Sequence, residues 1–189
     1  MTEYFKRLGS FVLDILQTVV MAVAIFMTVY LFLMRPHQVS GRSMVPNFQD
    51  GEYLLTEKVS YRLHEPKRGD VVVFTAPPTR RQEYIKRITG VPGDRIQVGG
   101  GKVSVNDKLL EENYLQKDFT TDTGHFLQAG REYTLASGEY FVFGDNRGNS
   151  SDSRDFGPIK KSDIVGKAWV VYWPPSRALV VPDVSYSGF

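Results

Sequence analysis

The sequence predicts a mostly β protein: one N-terminal transmembrane helix, then a β domain that carries a smaller β cap as an insertion. Three observations carry that prediction. Residues 11–34 are almost continuously apolar, the chain beyond Pro36 breaks into short alternating apolar runs, and no long 3.6-residue periodicity follows that point.

The first element reads FVLDILQTVVMAVAIFMTVYLFLM, with Asp14 and Gln17 as its strongly polar interruptions. A helix needs ~20 apolar residues to cross a ~30 Å hydrocarbon core, so this run is long enough. A cleavable signal sequence has a shorter apolar core and ends in small residues. Here Tyr-Leu-Phe-Leu-Met leads into Arg35-Pro36. The second half has no polar face, which argues against a helix buried in a soluble core. Residues 1–10 then form a short cytoplasmic N-terminus. Lys6, Arg7 and the terminal amine precede the span, and Arg35 and Arg42 follow it, a slight bias toward an extracytoplasmic main domain.

Residues 36–173 are expected to form that domain. Strands are predicted at 52–58, 70–75, 84–89, 95–98, 102–105, 132–135, 140–143 and 166–172. Gly99-Gly100-Gly101 reads as a hairpin connection, Asn106-Asp107 as the next turn, and Val91-Pro92-Gly93-Asp94 as another. Residues 106–131 are more polar and less regular, so a cap is placed at about 99–138. Residues 174–189, with three prolines and little pattern, read as a loosely attached tail.

Composition narrows the chemistry. A net charge of +2 over 189 residues, with no basic stripe, argues against nucleic acid as a partner. The absence of cysteine excludes a disulfide framework, a thiolate zinc site and a cysteine nucleophile. His37, His64 and His125 are widely spaced and match no metal-ligand pattern, so no metal and no cofactor is expected.

Three segments contain reactive side chains. In Gly41-Arg42-Ser43-Met44-Val45-Pro46, a Ser two positions after Gly can sit on a tight turn with its own N–H free to meet an oxyanion; equally, it can be a solvated loop hydroxyl. It is not the G-x-S-x-G elbow, because Val45 takes the last position. In Tyr84-Ile85-Lys86-Arg87-Ile88-Thr89, alternation puts Lys86 on one face with Tyr84 and Ile88. A buried lysine there could act as a base; an edge-strand lysine would keep its amine in water. The segment from Gly144 to Gly157 packs Asp145, Ser150, Asp152 and Arg154 into one loop, either a solvated turn or a support for a site.

Taken in order behind an anchor, these segments resemble the type I signal peptidases, in the small single-span bacterial form. The resemblance rests on Ser43-Met44-Val45-Pro46, Gly69-Asp70-Val71-Val72-Val73-Phe74, Lys86-Arg87 through Gly93-Asp94, and Gly144-Asp145-Asn146-Arg147 through Arg154. It implies coiled antiparallel sheets and a membrane-bound serine endopeptidase that removes signal peptides from exported preproteins after a small residue of an A-x-A site. Ser43 would be the nucleophile and Lys86 the general base, with Ser150 orienting the amine. Asp152 and Arg154 would pair beside the site, and Asp145 and Arg87 would give further support. The implied partners are preprotein signal peptides and membrane lipid. Two departures stand out. Gly41 occupies the place where some relatives carry an oxyanion-hole hydroxyl, leaving backbone N–H groups, Ser43's first, as donors. Asn47 follows the box's proline where Thr is frequent. The self-cleaving repressors of the SOS response share the implied fold and dyad, but they begin with a DNA-binding domain instead of a span. A non-enzymatic tethered β domain would leave Ser43 and Lys86 apart in space.

Overall fold

The computed structural model describes residues 2–77, 80–116 and 119–186. Residues 187–189 of the expected tail and residues 117 and 118 of the expected cap lie outside the described residues. The chain divides into two units, Met1–Arg35 and Pro36–Phe189. The first is a single helix, α1 (Thr2–Leu33). Within it Gly9–Thr28 is apolar enough to cross a membrane, with a mean hydropathy of 2.1. Phe11, Leu13, Ile15, Val19, Ile25 and Phe26 all stand exposed on its surface, so the helix offers apolar side chains all round and suits a hydrocarbon surrounding.

The second unit is built of short strands. In chain order they are β1 (Met34–Gln38), β2 (Tyr53–Glu57), β3 (Val71–Thr75), β4 (Glu83–Gly90), β5 (Arg95–Gly99), β6 (Lys102–Val105), β7 (Lys108–Leu109), β8 (Glu132–Thr134), β9 (Glu139–Phe143), β10 (Ile159–Lys160), β11 (Ile164–Trp173) and β12 (Leu179–Val180). Two one-turn helices, α2 (Ser60–Leu63) and α3 (Ser153–Phe156), interrupt them. The large sheet runs in the order β1-β2-β11-β3-β4-β9-β10, with β12 added on β11. The small sheet runs β7-β6-β5-β8.

The eight predicted strands correspond to β2–β6, β8, β9 and β11. The missed ones have physical reasons. β1 contains Pro36, which a strand tolerates at a sheet edge, and β1 is the end of its sheet. β7, β10 and β12 are two residues each, too short to alternate visibly. The expected hairpin narrows to Gly100-Gly101, whose φ values of 58° and 76° give the two left-handed positions of a tight two-residue turn. Asn106 and Asp107, at 52° and 64°, repeat it between β6 and β7. The segment after Trp173 is not the loose tail expected. Its β12 pairs with β11, Arg177 pairs with buried Glu52, and Val181 packs on the core. Backbone pairing and one buried charge tie it down despite its prolines.

Packing explains why some strands read as continuous apolar runs. Val71 and Val73 of β3 enter one core cluster with Met44, Phe48 and Val171, while Val72 and Phe74 enter another with Ile88 and Tyr140. β9 is divided in the same way: Tyr140 and Val142 face the second cluster, and Phe141 and Phe143 face a third, under the small sheet. Strands buried on both faces lose the polar half of the alternation. The ring of Phe141 is fully buried and packs against Phe126, Tyr133 and Phe143. Phe141→Ala should therefore cost about 3–5 kcal/mol, read as a lowered midpoint in chemical denaturation of the detergent-solubilised chain.

Candidate active site

Ser43 lies in the turn that follows β1, and the residues around it fix that turn. Gly41, at φ 90°, donates its N–H to Asp50 Oδ1 at 2.7 Å. Met44, next to Ser43, is a fully buried plug of the β3 core cluster, and the Phe48 N–H closes back on the Met44 carbonyl at 2.9 Å. Asn146 grips the turn from the other side. Its backbone N–H donates to the Ser43 carbonyl at 2.9 Å, and its Nδ2 donates to the Arg42 carbonyl at 3.0 Å. A planar trans peptide sets N–H opposite C=O, so holding the Arg42 carbonyl also aims the Ser43 N–H.

Lys86 stands on β4 opposite Val72 of β3, one residue before the ladder with β9 begins at Arg87, and its burial, not a place between two strands, keeps the amine out of water. The side chain is buried, and Nζ is 2.7 Å from Ser43 Oγ and 2.9 Å from the Ile85 carbonyl, with the Tyr84 ring 5.2 Å away. A tethered domain with Ser43 and Lys86 apart does not fit that distance. Burial lowers the Lys86 amine to about 8, against the carboxylates of Asp152 and Asp145, which favour its charged form. Among the described residues no group of three or more His, Asp or Glu side chains converges as a metal site.

The supporting residues form two buried ion pairs. Arg87 forks onto Asp145 with bonds of 2.9 and 2.7 Å and donates a third to the Gly69 carbonyl at 3.0 Å. Arg154 forks onto Asp152 at 2.8 Å twice, and Asp152 Oδ2 also accepts the Gly144 N–H at 3.0 Å. Ser150 departs from expectation. Its Oγ is buried with no hydrogen-bond partner among the described residues, so it does not orient the amine here. The Ser150 carbonyl lies 3.4 Å from Arg154 Nη2, and the Ile85 carbonyl holds the amine instead.

Several contributors are invisible in sequence. Asn47 Nδ2 donates to Asp145 Oδ2 at 2.8 Å and to the Tyr114 carbonyl at 3.0 Å, tying the Ser43 turn to the Arg87 pair. The Tyr114 ring lies 4.2 Å from the Arg87 guanidinium. Arg147 pairs with Glu112 and donates to the Gly144 carbonyl at 3.0 Å. Apart from the local Arg147–Gly144 bond, these links cross tens of residues of chain, up to 98 for Asn47 and Asp145, and no local pattern marks them. A Cβ on Gly144 would meet the Ser43 carbonyl at 2.6 Å, so only glycine admits that approach.

Beside the pair is a cavity of about 250 Å³. Val39, Leu54, Val73 and Ile85 give it apolar walls; His37, Gln38, Ser40, Glu83 and Tyr84 supply the polar ones. It adjoins two open strand edges. β1 ends the large sheet, and β9 pairs with β4 at Arg87, Ile88 and Gly90, leaving the start of β4 with β3 as its ladder partner. A larger cavity of about 770 Å³, lined by Pro66, Arg68, Tyr140 and Tyr186 among others, includes none of these groups. Size does not decide between them, because the chemistry sits beside the smaller one.

Comparison with known proteins points one way. Residues 12–173 match the family described as signal peptidase, peptidase S26. A signal peptidase I of Bacillus caldolyticus is 38% identical over 160 residues, covering 81% of this chain and 87% of that protein. A probable signal peptidase I-2 of Synechocystis sp. is 34% identical over 176 residues, covering 90% of this chain and 78% of its own. The crystal structure of a signal peptidase I from Enterococcus faecalis V583 is 29% identical with a TM-score of 0.46, over 55% of this chain and 97% of that one.

Asp145→Ala would leave the Arg87 guanidinium buried without its carboxylate. The expected cost is about 3–5 kcal/mol, seen as a lower denaturation midpoint; an Asp145→Ala chain as stable as wild type would refute the role given to this pair.

Proposed function

The chain belongs to the signal peptidase family, peptidase S26, and is a membrane-anchored serine endopeptidase; on that premise we propose that it cleaves preproteins through a Ser43–Lys86 dyad. The observation that carries this reading is the 2.7 Å hydrogen bond between a buried lysine amine and a serine hydroxyl.

Neutral Lys86 accepts the hydroxyl proton as Ser43 Oγ attacks the scissile carbonyl. The Ser43 N–H, aimed through Asn146, meets the oxyanion. The Lys86 ammonium then gives its proton to the leaving amine, the mature protein departs, and a water activated by Lys86 hydrolyses the ester. With the amine near 8, about a tenth of it is neutral at pH 7, against roughly one part in 2,500 for an exposed lysine.

The substrate lies extended between the open edges of β1 and β4, where its backbone can pair on both sides. The small cavity, with Val39, Leu54, Val73 and Ile85 as its apolar walls, suits small side chains of the A-x-A kind before the cut. Catalysis belongs to residues 36–173, with the small sheet as a cap, and residues 174–186 brace that domain. α1 anchors the chain in lipid with its N-terminus cytoplasmic. Ser43 follows Met34 by nine positions, a short tether between anchor and nucleophile.

Ser43→Ala and Lys86→Ala should each abolish cleavage of a signal-peptide-bearing precursor while leaving the thermal transition in place; wild-type cutting by Ser43→Ala would end the dyad mechanism. The base is active when neutral, so kcat/KM should climb about tenfold per pH unit below 8 and level off above it. A profile already flat from pH 6 to 9 would exclude Lys86 as the base.

A further inference from the structure

His37 of β1 and Glu83 of β4 are in contact at the cavity between those strands. His37 Nδ1 is 3.2 Å from Glu83 Oε2, and its Nε2 is 3.0 Å from Thr56 Oγ1 on β2. A carboxylate only accepts, so Nδ1 carries the hydrogen whether the ring is neutral or charged, and the contact does not depend on which. Thr56 is fully buried and steadies the ring, and the His37 side chain is only 11% exposed. Three strands, β2, β11 and β3, separate β1 from β4 in the sheet. The pair therefore joins distant edges of a curled sheet, and both residues line the cavity between them.

Glu83 precedes Lys86 by three residues, ~10 Å along an extended strand. A chain whose scissile carbonyl sits at Ser43 and which runs on along β4 has to pass that level. Resting on the reading that the substrate occupies this groove, we propose that His37 and Glu83 form a latch that an incoming chain must part, which makes them a gate on substrate affinity. Opening the latch is a cost common to every substrate, so it weakens ground-state and transition-state binding alike and shows in KM.

The test uses the full detergent-solubilised chain and a peptide spanning an Ala-x-Ala cleavage site, with wild type, Glu83→Ala, His37→Ala and the double variant compared. Each single change should lower KM roughly three- to tenfold, the equilibrium worth of about one hydrogen bond, with the gain in KM rather than kcat. The double variant should gain no more than either single one, because one broken partner already opens the latch. An unchanged or raised KM, or gains that add, would overturn the latch while cleavage itself still supports the dyad. If the wild type leaves the peptide uncut, the reading beneath the latch fails, and the latch fails with it.

Discussion

Everything in this molecule depends on one amine kept out of water within reach of a hydroxyl. An exposed lysine is charged at neutral pH and cannot take a proton, so the proposed dyad needs a dry place for Lys86 and a Ser43 left open to a substrate. Both demands fall on β4. It buries the lysine stem, and near its start it runs past the ladder with β9, so the space beside the amine stays open. The position would be unstable if the nearby charges were also left alone. Arg87 with Asp145 and Arg154 with Asp152 are each closed pairs, their hydrogen bonds turned toward each other and toward backbone.

The two pairs also fix geometry. Asp152 holds the Gly144 N–H, Arg147 holds the Gly144 carbonyl, and Asn146 reaches from the same loop to the carbonyls on either side of the Ser43 peptide unit. Asn47 returns the grip from the Ser43 turn to Asp145. Ser43 and Lys86 come from segments 43 residues apart, and a third segment, near residue 145, holds both in register.

Much of this was legible in the chain. The apolar run of α1, the alternation of the larger strands and the Gly-Gly and Asn-Asp turns are local patterns, and local patterns can be read. Ser43 and Lys86 were legible because their motifs recur in order, although on the residues alone Lys86 could equally have been an edge lysine. The remainder depended on long-range packing. Asn47, Tyr114 and Glu112 look like ordinary loop residues until the small sheet brings residues 112–114 against Arg87 and Arg147. The segment after Trp173 looked loose because proline suppresses pattern, while its attachment rests on β12 pairing and on Glu52, far away in sequence. Ser150 shows the opposite case: the resemblance implied a contact with the amine, and its hydroxyl lies buried against Gly144 with no hydrogen-bond partner among the described residues.

The place of β11 in the chain has a consequence for the order of synthesis. It is the strand that β2 and β3 share, and Ala168 and Val171 complete the cluster that seats Met44 beside Ser43. It is also the last long strand to be made. Until Ile164–Trp173 has emerged, β2 and β3 have no common neighbour and the Ser43 turn has no floor. Such a chain carries the Ser43 turn through synthesis unassembled, and on the proposed dyad it becomes able to cut only once β11 has been made.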